Sequence, residues 1–249
     1  LSGLIFTIAQ NGYDTAFLQC IASQRAYARR IGVEYVAVTR PSRVEDTALS
    51  AWLKLPLAQA GLESGYDWVM YIDADCEVSG LAPDFREGRD PNGSVFMADG
   101  RSGRVNSGVI MCRNTEAART FLNLVIDSAT SVVPPEDRLH LKYENGNVIF
   151  VDRVHGGVSP LSQEWNNASD PDLADFVRHY TGDMRPMLKR TPWRELQYRV
   201  LKRFRSRQLS KFQSQPESRG EGFVTALMRL RDEVLEAHPE ITLAVTHRR

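Results

Sequence analysis

Two carboxylates close an apolar run in the stretch DWVMYIDADCEV, where Trp68, Val69, Met70, Tyr71 and Ile72 lead into Asp73 and Asp75. Neighbouring carboxylates repel one another, so a cation has to compensate them. A hard divalent ion with oxygen ligands, Mn²⁺ or Mg²⁺, bridging to the phosphates of a bound ligand is the economical solution. The pattern alone is common: with 16 Asp in 249 residues, about one D-x-D arises by chance, and Asp170 and Asp172 supply a second. Its setting is more specific. Ligands of open α/β sheets bind outside the carboxyl ends of the strands, which is where an apolar run ending in D-x-D places its acids.

The elements that must position these acids follow from periodicity. LIFTIA (4–9) reads as a buried strand, and YDTAFLQCIASQRAYARRIG (13–32) as a helix with Phe17, Ile21, Ala28 and Ile31 at helical spacing and Gly32 as its cap. VEYVAVT (33–39) is a second strand, so the chain opens with a β-α-β unit, and a parallel sheet covered by helices is expected. A helix through LSAWLKLPLAQAGLES, with Pro56 arguing against one straight rod, precedes the D-x-D strand. Strands are predicted at 94–98 and 105–112, then a helix from Thr115 to about Ser128 with Thr115 as its cap, and a turn and short helix within 134–151.

Composition describes an ordinary globular chain, 42% hydrophobic, with no run of eighteen apolar residues. Cys20, Cys76 and Cys112 are widely spaced and form no C-x-x-C pair, so they read as buried thiols. The zero net charge hides an asymmetry. Residues 189–211 carry nine Lys or Arg against Glu195, a net of +8, which leaves 22 basic against 30 acidic residues elsewhere. From Thr191-Pro192, a helix-start signal, Trp193, Leu196, Val200 and Phe204 recur every three or four residues among the basic ones, an amphipathic cationic helix suited to an anionic membrane surface. Nucleic acid is not expected as a partner. A final helix follows, with Phe223, Leu227, Leu230 and Val234 on one face, ready to dock on the core or on another subunit.

Two enzyme classes use a strand-end D-x-D. In haloacid-dehalogenase-like phosphatases Thr or Val stands four residues after the first Asp, whereas Glu77 stands there in this chain, and the later GDMRPM lacks the second acid or amide of their pattern. A nucleotidyltransferase would need a Gly-rich phosphate loop after the first strand, and TIAQNGYDT has one Gly. The second class is the nucleotide-sugar glycosyltransferases of the GT-A fold, which the chain resembles at five places in order. These are the Lys-bearing helix leading to DADCEV, NSGVIMCRN (106–114), YENGNVIF (143–150), EWNN (164–167) and HYTGDMRPM (179–187). The segments are similar to those of the glycogenin-like enzymes and related retaining galactosyl-, mannosyl- and xylosyltransferases, over residues 4 to 190.

The resemblance implies an α/β, Rossmann-like GT-A single domain with a mixed central sheet over residues 1–190, and a basic amphipathic helical extension over 191–249. It implies transfer of a sugar from a nucleoside diphosphate sugar, UDP-linked on family analogy, to a hydroxyl of a glycan, glycolipid or protein acceptor, with retention of configuration. His179 would complete a metal site with Asp73 and Asp75, and an imidazole donor favours Mn²⁺ over Mg²⁺. Gly182 would let backbone approach the diphosphate, and Arg185 stands at the family's diphosphate-binding Lys, while Met187 replaces the usual Trp. Lys54 would contact the donor's phosphate or sugar. Asn106 and Ser107 would offer an amide and a hydroxyl to sugar oxygens, with Gly108 removing bulk. Thr7, Ala9 and Gln10 end the first strand, where the nucleoside would lie. Glu144 and Asn145 stand near the anomeric centre, Asn145 replacing the usual Gln, and front-face attack would need no strong base there. Trp165 is assigned to stacking beneath an acceptor sugar, with a place in the core as the competing reading. His140 and His155 read as surface or loop residues.

Other readings are a catalytically inactive sugar-nucleotide binder and a membrane-surface module acting through the basic helix. An inactive binder would typically have lost a carboxylate or the His, and all three are present. Membrane association is expected through 189–211, at a cytoplasmic face, or in a Golgi-type lumen if an anchor preceded the first residue.

Overall fold

The computed structural model describes residues 1–137, 143–189, 192, 193, 195–197, 199, 200 and 220–243. His140, Thr191, Phe204 and the basic positions Arg190, Arg194, Lys202, Arg203, Arg205, Arg207 and Lys211 lie outside the described residues. In chain order the elements begin β1 (Gly3–Ile8), α1 (Tyr13–Ala16), α2 (Leu18–Arg30), β2 (Glu34–Val38), α3 (Thr47–Trp52), α4 (Lys54–Glu63), β3 (Trp68–Ile72) and β4 (Cys76–Val78). There follow β5 (Val95–Ala98), β6 (Val109–Arg113), α5 (Glu116–Asp127), α6 (Asn145–His155), β7 (Val158–Leu161), β8 (Val177–His179) and α7 (Glu221–Ala237).

A central sheet has the order β2-β1-β3-β6-β5-β7. β1 runs parallel to β2 and β3, β6 runs antiparallel to β3 and β5, and β7 is parallel to β5, so the sheet is mixed. β3 lies inside it and is buried on both faces, which explains its unbroken apolar run. Val69 and Tyr71 face one core with residues of α4, α5 and α7, while Trp68, Met70 and Ile72 face another with Tyr27 and Ala28 of α2.

Several elements differ from the sequence expectation for local reasons. The helix expected over 13–32 breaks at Phe17 (φ −123°, ψ 29°), giving α1 and α2. Pro56 has no N–H for the Trp52 carbonyl one turn earlier, and the helix divides at Leu53 into α3 and α4. The strand expected from Val105 starts at Val109, because Ser107 and Gly108 form a turn before it. β7 was invisible to periodicity: it is four residues long and contains Pro160, which only the edge position of this strand accommodates. β8 leaves the central sheet and pairs with β4 in a two-stranded ribbon. Thr115 caps α5 as its type predicts, its hydroxyl accepting from the Ala118 N–H.

The final helix docks on the core. Leu227, Leu230 and Val234 of α7 are buried in the same cluster as Trp52, and Phe223 meets the Trp52 ring edge-on at 5.6 Å between centroids. Beyond the helix, His238 Nε2 accepts from the backbone N–H groups of Thr39 and Arg40, both at 3.3 Å, and the Tyr66 hydroxyl donates to the Glu240 carbonyl at 2.9 Å. Cys20, Cys76 and Cys112 are all buried, as expected.

Candidate active site

Two antiparallel pairings bring the sequence motifs together. Ile72 of β3 pairs with Val109 of β6, so the residues after β3 lie beside those before β6, and the Asp73 N–H donates to the Gly108 carbonyl at 2.8 Å. Cys76 of β4 pairs with His179 of β8, and the Tyr180 N–H donates to the Asp75 carbonyl at 2.9 Å. The D-x-D turn is clipped from beneath by Gln24 of α2, whose amide donates to the carbonyls of Asp73 (3.0 Å) and Cys76 (2.8 Å).

Both carboxylates approach one imidazole nitrogen. His179 Nε2 lies 3.3 Å from Asp75 Oδ1 and 3.6 Å from Asp73 Oδ2, while Nδ1 lies 2.9 Å from Asn166 Oδ1. The ring is cradled by Gly108, where a Cβ would come within 2.4 Å of His179 Cε1. That glycine is therefore required by the histidine, in addition to any room it leaves for a ligand. The Asp73 side chain is 28% exposed against 11% for Asp75 and 7% for His179, so the accessible side of the cluster is at Asp73.

Cations surround the acids. Arg185 Nη2 is 2.7 Å from Asp75 Oδ2, and the Tyr71 hydroxyl donates to Asp73 Oδ1 at 2.5 Å. Burial pushes the Asp73 carboxyl above the ordinary range despite Lys54 and His179. Burial works on Asp75 in the same direction, but His179 and Arg185 outweigh it and hold that carboxyl low. Burial would lower His179, and the two carboxylates raise it instead. The Cys76 sulfur shares this neighbourhood with Asp75 and His179, but burial and the adjacent acids drive its thiol well above the ordinary range. A hard divalent ion prefers the oxygen and imidazole donors beside it to this thiol. Two carboxylates and an imidazole, cradled by a glycine, fit Mn²⁺ or Mg²⁺.

Lys54 departs from the sequence expectation. Its ammonium, 4% exposed, lies 2.7 Å from Glu144 Oε1, 3.2 Å from the Ser107 carbonyl and 3.4 Å from Asp73 Oδ1, 4.5 Å from the centre of the Tyr71 ring. Its three N–H donors have protein partners, so Lys54 ties the site together and is not left to grip a phosphate or sugar. Glu144 and Asn145, at the start of α6, are drawn into the same network. The Ser107 hydroxyl donates to Glu144 Oε1 at 2.7 Å, and the Ser107 N–H donates to Asn145 Oδ1 at 2.8 Å. Asn106 joins through its Oδ1, which accepts from the Gly108 N–H at 2.9 Å.

The remaining predicted residues divide. Thr7, Ala9 and Gln10 are 0%, 1% and 2% exposed. Gln10 is corrected from ligand contact to scaffold, since its amide donates to the Arg40 carbonyl and accepts from the Ser50 hydroxyl. The Thr7 hydroxyl is buried without a hydrogen-bond partner. Gly182 adopts φ +50°, the left-handed region that favours glycine, and starts the short 3₁₀ helix Gly182–Met187 carrying Arg185. Trp165 is corrected as well: at 2% exposure it is a core residue, packed on Phe176 with the Arg89 guanidinium 4.9 Å above its ring, and no sugar can stack on it.

Three residues escaped the sequence reading. Gln24 had a usable signal, a polar residue on the buried stripe Cys20, Ile21, Tyr27, Ala28 of α2. Tyr71 looks like core in an apolar strand, and only the fold turns its hydroxyl to Asp73. Asn166 sits within the EWNN stretch but becomes meaningful only once His179 lies beside it.

No protein-family model and no curated protein matches the sequence. Solved structures do match the fold. A glycosyltransferase involved in the glycosylation of the major capsid of PBCV-1 superposes with a TM-score of 0.57 at 17% identity, over 75% of this chain and 98% of that one. The glycosyltransferase GlyE of Streptococcus pneumoniae TIGR4 superposes with a TM-score of 0.50 at 13% identity, over 85% of this chain and 63% of that one. With its mixed sheet and its D-x-D at the end of an inner strand, the chain has the fold of the GT-A glycosyltransferases.

Proposed function

We propose that this protein is a metal-dependent glycosyltransferase that moves a sugar from a nucleoside diphosphate sugar, UDP-linked, to an acceptor hydroxyl with retention of configuration. The observation that carries the reading is the approach of Asp73 and Asp75 to His179 Nε2 at 3.6 and 3.3 Å, in a fold shared with glycosyltransferases. Asp73, Asp75 and His179 would hold the ion, Mn²⁺ ahead of Mg²⁺. Bound there, it would stabilise the charge that develops on a departing diphosphate as a Lewis acid.

The chain's own residues account for the rest. Arg185, already 2.7 Å from Asp75, is placed to share its guanidinium with diphosphate oxygens, a bidentate task suited to Arg. Lys54 fixes Glu144 and Asp73 relative to the Ser107 backbone, so that the carboxylates do not move as charge shifts during the reaction. Asn106 and Asn145, both half-buried, would then offer their amides to the sugar, held in place by the buried Ser107 and Glu144. Retention rests on the resemblance of the ordered motifs to retaining enzymes. Incubation with UDP-, GDP-, CDP- and ADP-sugars, with and without Mn²⁺, tests the reading through nucleotide release and the anomeric configuration of the product by NMR. Metal-dependent release from one donor is expected, and release from none of them would refute it.

We further propose that residues 189–211 meet an anionic membrane surface. Trp193, Leu196 and Val200 are 67%, 51% and 46% exposed within a stretch of net charge +8. Co-sedimentation with vesicles should require anionic lipid and weaken with salt. Equal binding to neutral vesicles, or none to either, would contradict it.

A further inference from the structure

We propose that Asn166 is a positioning residue that fixes the tautomer of His179, and that a backbone N–H dictates the setting. The inference rests on the metal-site reading above and goes beyond it to how the ligand is prepared. The Gly108 N–H can only donate, and it points at a terminal atom of Asn106 at 2.9 Å, so that atom is the amide oxygen. A terminal atom of Asn166 lies 3.0 Å from that same oxygen and 3.2 Å from the Asn106 carbonyl. Both neighbours are acceptors, so the Asn166 atom is its nitrogen. The other terminal atom of Asn166 is then its oxygen, and it lies 2.9 Å from His179 Nδ1. An amide oxygen only accepts, so Nδ1 carries the proton.

Nε2 faces Asp75 and Asp73 at 3.3 and 3.6 Å, acceptors that favour the doubly protonated ring, but both contacts are longer than the 2.9 Å from Nδ1 to Asn166. The ring therefore keeps its Nδ1 proton in the better hydrogen bond and gives up the Nε2 proton when it becomes neutral, which opens Nε2 to a cation that the opposite tautomer would block. Asn166 is fully buried, so water cannot replace its oxygen. The Gly108 contact supports the same outcome, because it fixes the ring face against the backbone whose N–H starts the relay. A hydrogen-bond partner behind a ligating imidazole commonly changes metal affinity by about 10–100-fold.

The test is long-range ¹⁵N–¹H correlation on protein labelled with ¹⁵N-histidine, recorded without metal on the alkaline limb of the ring titration and assigned with His179→Asn. Wild type is expected to show His179 protonated at Nδ1. Asn166→Leu should lose that signature, and Asn166→Asp, which keeps an oxygen acceptor beside Nδ1, should retain it. Asn106→Ala removes one of the two acceptors that orient the Asn166 amide and leaves the Asn106 carbonyl at 3.2 Å, so it should keep the Nδ1 form predominant, while Asn166→Ala also removes the oxygen and keeps the test open if the Leu variant does not fold. Free Mn²⁺ measured by EPR should show affinity about 10–100-fold weaker in Asn166→Leu than in wild type, with Asn166→Asp restoring most of it. Nε2 protonation in neutral wild type, or an Nδ1 signature that persists in Asn166→Leu, would overturn the inference. Failure of wild type to bind Mn²⁺ while showing the Nδ1 tautomer would instead overturn the metal-site reading and leave the relay standing.

Discussion

The carboxyl end of β3 and the docking face of α7 lie in one molecule but are built from opposite materials. At the first, Lys54, Asp73, Asp75, Glu144, His179 and Arg185 crowd together, most of them buried. At the second, Leu227, Leu230 and Val234 press on the core around Trp52, and the polar ties lie at its margin in His238 and Tyr66. Burying charges costs desolvation that ion pairing only partly returns, whereas burying apolar surface stabilises directly. The first region therefore costs stability, as the binding role proposed for it would require, and the second supplies it. Substitutions should separate the two properties.

The largest stability effect should come from breaking the charged region without replacing its logic. Lys54→Met strands Glu144 and Asp73 beside an uncharged side chain and should cost about 3–5 kcal/mol in chemical denaturation. Adding Glu144→Gln should recover part of that loss, and absence of any recovery would show that the pair is not the relevant unit. Leu227→Ala should cost about 2–4 kcal/mol through the cavity it leaves, yet calorimetry should find nucleotide affinity within about twofold of wild type, a change of under half a kcal/mol.

Gly108→Ala should affect both properties. Its Cβ would meet His179 Cε1 at 2.4 Å, so the ring must shift, and Mn²⁺ affinity measured by EPR should fall by about tenfold, with a stability cost of about 1–3 kcal/mol from the overpacked site. The smallest effect belongs to the margin of α7. His238 accepts two backbone N–H groups, and burial together with Arg40 holds it below its ordinary value of 6.5 despite Glu240. A histidine depressed in the folded state gives full stability above the unfolded value, and that stability is lost as pH falls below about 6.5 toward the folded one. His238→Ala should cost about 1 kcal/mol at neutral pH and flatten this part of the stability–pH curve.

The two regions also differ in how far they could be read from the chain. The α7 dock was fully periodic: Phe223, Leu227, Leu230 and Val234 share one helical face, and that face is the one against the core. The D-x-D, the N-S-G and the late histidine were visible as residue types in order, and the mixed sheet was expected from the family they resemble. Their connections were not visible, because a hydrogen bond between Asn166 and His179, or between Lys54 and Glu144, depends on antiparallel registers that no local period encodes. Hence Lys54 was read as a ligand contact although its ammonium is spent inside the protein, and Trp165, a residue type equally at home beneath a sugar or in a core, proved to be core. Short strands such as β7 and β8 exist only through their pairing and left no signal of their own.

The central claim is that Asp73, Asp75 and His179 hold an ion between the protein and a nucleoside diphosphate. The most direct measurement is calorimetric titration of wild type and Asp75→Asn with UDP, GDP, CDP and ADP, each with and without Mn²⁺. The account predicts binding of one nucleotide by wild type that requires Mn²⁺ and weakens by at least about 100-fold in the variant, beyond the loss typical of a mere supporting partner. Equal affinity with and without the ion, or an unaffected Asp75→Asn, would contradict it.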